Sequence, residues 1–198
     1  LCQESYSNFK PSKVIEHRIE ESDGKYKILR ETEAGEVHTC NLNSINLANI
    51  ENEADLHSVC ETAVRLLDNA IDFTDVPVKE GEIHNNVYRT IGVGSMGLAD
   101  YLAKRNISYS NAKETVDELF ENIAYYTINA SISLAKERGK YPRYEGSEWS
   151  KGLILGRLFY GDKYVEYEKI KDIFTDTEIR EIANDENLLK ELFENLGE

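Results

Sequence analysis

Leu56, Val59, Cys60, Ala63, Val64, Leu66, Leu67, Ala70 and Ile71 recur at helical spacing from a start near Asp55, and Pro77 closes the segment. Apolar residues repeating with that period build one broad stripe, which has to be buried against another element. This helix is the strongest local constraint on the fold. A second stripe begins near Asn111 and carries Val116, Leu119, Phe120, Ile123, Ala124, Ile128, Ile132 and Ala135, ending at Gly139 with Pro142 just beyond. Glycine after the last periodic residue, followed by proline, is a helix stop.

Strand signals surround these helices. Lys25 to Arg30 alternates, with Asp23-Gly24 and Ala34-Gly35 as turn signals on either side, so a hairpin is expected within the first 47 or so residues. Residues 87–93 form a short β-branched run that meets glycines, and a helix is expected from about Met96 to Lys104 with Asn106 as its stop. After Trp149 the character changes. Residues 160–198 are rich in Glu, Asp, Lys and Tyr, with Thr175-Asp-Thr-Glu178 resembling a capping box ahead of one or two short amphipathic helices. There is no internal repeat and no low-complexity tract, which argues against a solenoid or a disordered interaction tail.

The 198 residues are enough to bury one good-sized core. The net charge of −14 disfavours tight binding to a nucleic-acid polymer or an anionic membrane, although a small nucleotide can still be held by backbone N–H groups. No window approaches the roughly 18 consecutive apolar residues of a membrane span, and Leu1 onward lacks the layout of a signal peptide. A cytoplasmic protein is expected. Cys2, Cys40 and Cys60 are odd in number and widely spaced, which fits neither a disulfide framework nor a structural zinc site.

Chemistry points to two segments. In Leu1-Cys2-Gln3-Glu4 a thiol and a carboxylate are two residues apart, which in an extended segment puts both on one side, able to face one substrate. Thr39-Cys40-Asn41-Leu42-Asn43-Ser44-Ile45-Asn46-Leu47 alternates polar and apolar residues around a second thiol and reads as a strand leading into a loop. Each segment alone also fits a plain structural reading, a solvated Glu4 and an inert half-buried Cys40.

Taken in order, the two segments resemble the ribonucleotide reductase large-subunit family, whose finger-loop motif Asn-x-Cys-x-Glu is followed by Cys-Asn-Leu-x-Ser-x-Asn-Leu. Arg65-Leu-Leu-Asp-Asn-Ala-Ile-Asp72, the run from Arg89 to Ala103, and Ala130 through Gly139 extend the resemblance over about residues 1–157. It implies an α/β fold, part of the family's ten-stranded α/β barrel, with residues 1–157 as a catalytic barrel segment and 158–198 as an acidic, helical peripheral tail. It implies that Cys2 becomes the thiyl radical that takes hydrogen from the ribose 3′ carbon, and that Glu4 accepts the 3′-hydroxyl proton. Cys40 would be one of the two thiols that reduce the 2′ position and end as a disulfide, its redox partner lying outside this chain.

The motif's asparagine, the partner thiol's strand, the effector site and the downstream phosphate loop have no counterpart in these residues. A central fragment or one part of a split subunit is therefore expected, incomplete without the other parts of the large subunit. No cofactor is expected on this chain itself. The radical would come from a metal-containing small subunit or from adenosylcobalamin, the electrons from a thioredoxin- or glutaredoxin-type reductant, and the substrate would be a ribonucleotide.

Other patterns compete for attention. Gly92-Val-Gly94-Ser-Met-Gly97 satisfies G-x-G-x-x-G and offers an alternative, a non-catalytic nucleotide-binding or interaction module. Tight strand–helix packing is the plainer reading of those glycines. Cys60 shares a helix face with Leu56, Ala63 and Leu67 and is expected to be buried. His17, His38, His57 and His84 show no ligand spacing. Tyr125 and Tyr126 read as core and boundary aromatics of their helix rather than a redox pair.

Overall fold

A computed structural model describes residues 7, 9–161 and 163–196. The chain divides into two compact units, one running through Tyr141 and the other beginning at Pro142.

In the first unit, β1 (Lys13–Ser22) and β2 (Lys25–Glu33) form an antiparallel hairpin across the Asp23-Gly24 turn, with a bulge between Val14 and Glu16. The hairpin is exposed along its whole length. At its base Lys10 and Glu36 exchange two backbone hydrogen bonds, 2.8 and 2.7 Å long, which bring the incoming and outgoing chain together.

The chain then enters β3 (Leu42–Asn46), crosses over through α1 (Glu53–Phe73) and α2 (Lys79–Tyr88), and returns as β4 (Gly92–Met96), parallel to β3 from Leu42↔Gly92 to Asn46↔Met96. Parallel pairing demands a long crossover of this kind. Short α3 (Leu98–Lys104) and long α4 (Lys113–Arg138) complete the unit. Asn52 caps α1 by accepting from the Asp55 N–H at 3.0 Å, and Asn106 stops the chain beyond α3 in a left-handed conformation.

The two stripes are buried in part: Leu56, Cys60, Ala63, Val64, Leu67 and Ile71 of α1 and Leu119 and Ile123 of α4 are buried, whereas Val59, Leu66, Phe120, Ala124 and Ile132 are exposed. Ile45, Leu47 and Ile50 from the β3 end meet Leu56, Cys60 and Ala63 of α1 and Leu119 and Ile123 of α4, while Val64, Ala130 and Leu134 form a smaller cluster beside them. Asp68 of α1 ties three elements together. Arg89, just past α2, donates to its carboxylate at 2.9 and 2.7 Å and to its carbonyl at 2.9 Å, and Arg138 at the end of α4 takes its other oxygen. Arg89 also reaches Asp72 at 2.7 Å and holds that carboxyl below the usual carboxylate range.

Two expectations need correction. The run at 87–93 is not one strand: Val87 and Tyr88 close α2, Arg89 turns with φ 49°, and pairing starts at Gly92. Helix α3 starts at Leu98 instead of Met96, because Met96 still pairs with Asn46.

The second unit contains the antiparallel pair β5 (Arg157–Tyr160) and β6 (Lys163–Glu166), then α5 (Tyr167–Ile170), α6 (Asp176–Ala183) and α7 (Glu186–Leu196). Leu153, Leu158, Val165, Ile170, Ile179, Ile182, Leu192 and Phe193 fill its core. Thr175 and Glu178 make the reciprocal capping box that starts α6. The boundary at 157/158 that the resemblance implies falls at the start of β5, inside this unit. Helix and strand are mixed throughout, and the described residues contain no closed barrel.

Candidate functional site

The polar residues of the Cys40 segment are placed one by one. Asn41 donates through Nδ2 to the Asn85 Oδ1 and to the Thr90 carbonyl, both at 3.2 Å. Asn43 donates to the Ala63 carbonyl at 2.9 Å, which fastens β3 to α1. Asn46 accepts from the Ala48 N–H at 3.2 Å and turns the chain out of the strand. Ile45 and Leu47 lie in the core. Cys40 is different: its side chain is exposed, at the point where the chain enters β3.

Behind Cys40 lies α2, and the face it turns inward is polar. Gly81, His84, Asn85 and Tyr88 follow at helical spacing, and His84 and Asn85 are buried at 0% and 3% exposure. Gly81 permits the approach, since a Cβ there would come within 2.8 Å of the Thr39 Cγ2. Asn85 Oδ1 accepts from Thr39 Oγ1 at 2.5 Å as well as from Asn41, so one carboxamide oxygen grips the residues on both sides of Cys40. His84 lies 4.7 Å from the Tyr88 ring and 5.1 Å from the His38 ring, and its Nε2 is 2.9 Å from Ser7 Oγ. Thr90 donates to the same Ser7 hydroxyl at 3.1 Å, and Tyr88 donates to Glu36 at 3.0 Å.

Cys2 and Glu4 lie outside the described residues. Ser7 is held by His84 of α2 and by Thr90. Sequence reasoning named Thr39 only as the start of the Cys40 segment and His84 only among the scattered histidines, and it passed over Asn85. A helix buried through polar residues has no apolar stripe, and the only signal for it was Pro77 ahead of the glycine-containing run that begins at Lys79.

Cys60 is the contrasting thiol. It is fully buried within the α1 core, and burial pushes its pKa up to about 11, so it stays a neutral thiol. The glycine pattern at 92–97 is taken up by pairing: Gly92 donates to the Asn41 carbonyl at 2.9 Å, and Gly92 through Met96 form β4. Only Gly97 reaches the start of a helix, with φ 77°, and a Cβ there would come within 2.8 Å of the Asn46 Oδ1. These glycines serve strand and helix packing and do not form a phosphate-cradling turn.

His38 and His84, distant in sequence, become edge-to-face neighbours, yet among the described residues no group of three His, Cys, Asp or Glu could hold a metal ion. Tyr126 is half-buried, donates to Glu53 and has its pKa pushed up to about 12 by that bond, while Tyr125 is exposed. No helix among the described residues is long and apolar enough to cross a membrane.

β3, the α1–α2 crossover and β4 form a parallel β-α-β unit, with the exposed Cys40 leading into its first strand. The family model for the ribonucleotide reductase barrel domain matches residues 1–195, and the chain belongs to that family. Ribonucleoside-diphosphate reductase subunit alpha of Synechocystis is 44% identical over 156 residues, 79% of this chain and 17% of that relative. The same-named proteins of Treponema pallidum and Helicobacter pylori are 35% and 43% identical, over 81% and 61% of this chain and 19% and 16% of their own lengths. The chain thus spans less than a fifth of the relatives it matches.

Proposed function

We propose that this chain supplies part of the catalytic centre of a ribonucleotide reductase, a radical-dependent enzyme that reduces ribonucleotides to deoxyribonucleotides. Cys2 is the thiyl that takes the 3′ hydrogen, Glu4 accepts the 3′-hydroxyl proton, and Cys40 is one of the two thiols that reduce the 2′ position and are left as a disulfide. The second thiol of that pair lies outside this chain. The radical comes from a metal-containing partner subunit or from adenosylcobalamin, and a thioredoxin- or glutaredoxin-type protein re-reduces the disulfide by thiol exchange. The cytoplasm, a reducing compartment, suits that chemistry.

The observation that supports this reading best is the placement of Cys40. It is exposed where its neighbours are engaged, as a thiol must be that meets first a partner thiol and then an external reductant. In the complete enzyme Cys2→Ser is expected to abolish turnover, because a hydroxyl O–H bond is too strong for a thiyl's role. Glu4→Gln is expected to lower kcat with little change in KM, as removal of a group acting in the transition state does. Wild-type turnover in either variant overturns the assignment.

A further inference from the structure

Three features coincide at α2. A buried carboxamide, Asn85, accepts from both neighbours of Cys40 through a single oxygen. The adjacent buried imidazole, His84, meets the hydroxyl of Ser7, close in sequence to Cys2. Gly81 admits the helix to contact with Thr39. Burying amides and an imidazole is costly unless their hydrogen bonds are satisfied, and an apolar face would hold a helix at less cost. A polar face of this kind gains something apolar packing does not give, a fixed direction for the backbone it grips.

We propose that His84 and Asn85 are positioning residues that set the Cys40 segment against Ser7, so that the Cys40 thiol is presented in one orientation to its reaction partner. Residues i−1 and i+1 of an extended segment point to the side opposite residue i. Thr39 and Asn41 are both drawn to Asn85, and Cys40 between them is exposed. The inference rests on the reading of Cys40 as a reducing thiol and adds which side chains aim it.

Loss of aim has a different signature from loss of fold. Disulfide formation between Cys40 and a partner thiol within the enzyme depends on effective concentration, and misplacement by an ångström can cost about tenfold to a hundredfold. Labelling of Cys40 by a small thiol reagent in solution needs exposure and some thiolate, but no partner thiol held in position. The test uses the complete enzyme and follows four quantities: single-turnover disulfide formation at Cys40, kcat, KM for the ribonucleotide, and labelling of Cys40 and Cys60 by a maleimide.

In Asn85→Ala, disulfide formation and kcat are expected to fall together by about tenfold or more, with KM and Cys40 labelling within about twofold of the parent and Cys60 still protected. Thr39→Val, which removes one donor at nearly constant shape, is expected to fall in the same direction by a smaller factor. Thr39→Ser, which restores the hydroxyl, is expected to recover the parent rates. If Asn85→Ala exposes Cys60 and so has lost the fold, the Thr39 pair decides alone. Unchanged disulfide formation and kcat in Thr39→Val overturn the clamp. A parent enzyme that forms no disulfide at Cys40 during turnover overturns instead the functional reading beneath it.

Discussion

Cys40 and Cys60 have identical side chains and opposite surroundings. The first is exposed between two gripped neighbours, and the second is sealed among Leu56, Ala63 and the facing residues of α4. Under native conditions maleimide labelling is therefore expected to modify Cys40 well before Cys60, read by mass spectrometry of timed samples, and simultaneous labelling would contradict the burial. The same burial carries a pH dependence. The Cys60 pKa rises from 9.0 to about 11 on folding, so the folded state holds its proton more tightly than the unfolded chain does. Its stabilising contribution is complete below about pH 9 and is lost as pH climbs from there toward 11. Urea unfolding at pH 8 and pH 10.5 is expected to show lower stability at the higher pH in the parent, with the drop reduced in Cys60→Ala. At this scale the sequence made the burial of Cys60 legible, because a helical stripe addresses single residues. It was silent about the work of Asn85 and His84, which is done across the fold with Thr39 and Ser7.

Among the elements, those with a strong period were legible. Helices α1 and α4, the Asp23-Gly24 hairpin and the Thr175 capping box all stand where apolar spacing or local hydrogen-bond chemistry put them. Helix α2 did not show itself, since its inward face is Gly81, His84, Asn85 and Tyr88 and its last residues, Val87 and Tyr88, read as the start of a β-branched run. The ion network around Asp68 joins the runs Arg65–Asp72 and Arg89 onward: Asp68, Asp72 and Arg89 are partners in space. Asp68 is only 17% exposed and faces two guanidinium groups, whereas Asp72 is 53% exposed and meets one. Removing the shared carboxylate leaves both arginines short of a partner, so Asp68→Ala is expected to cost about 2–4 kcal/mol. Asp72→Ala is expected to cost less than about 1 kcal/mol. Denaturant midpoints of the two variants against the parent check the order, and equal losses would mean that the network does not hold α1, α2 and α4 together.

The molecule as a whole brings together one parallel strand pair, its helical crossover and an exposed cysteine, and its described residues close no barrel. Because the reading above puts the second reducing thiol and the radical source in other chains or other parts of the subunit, the purified 198-residue chain is expected to show no ribonucleotide reduction with a dithiol reductant. Measurable turnover by this chain alone would sink that reading. Family membership was legible from two short motifs in the right order, but the division at Tyr141 was not, because a change of composition after Trp149 is a weaker marker than the packing of the unit that begins at Pro142.

The paired hydrogen bonds between Lys10 and Glu36 have an engineering consequence. Everything from Pro11 to Gly35 is an excursion whose two ends are already joined, so the distance between Ser7 and the Cys40 segment is independent of how long the excursion is. Loop-closure entropy grows only slowly with length, so a foreign sequence spliced in at Asp23-Gly24 adds little to its cost. That turn is accordingly a graft point, where an affinity tag or a fluorescent reporter can be carried without touching the residues that hold Cys40 in place.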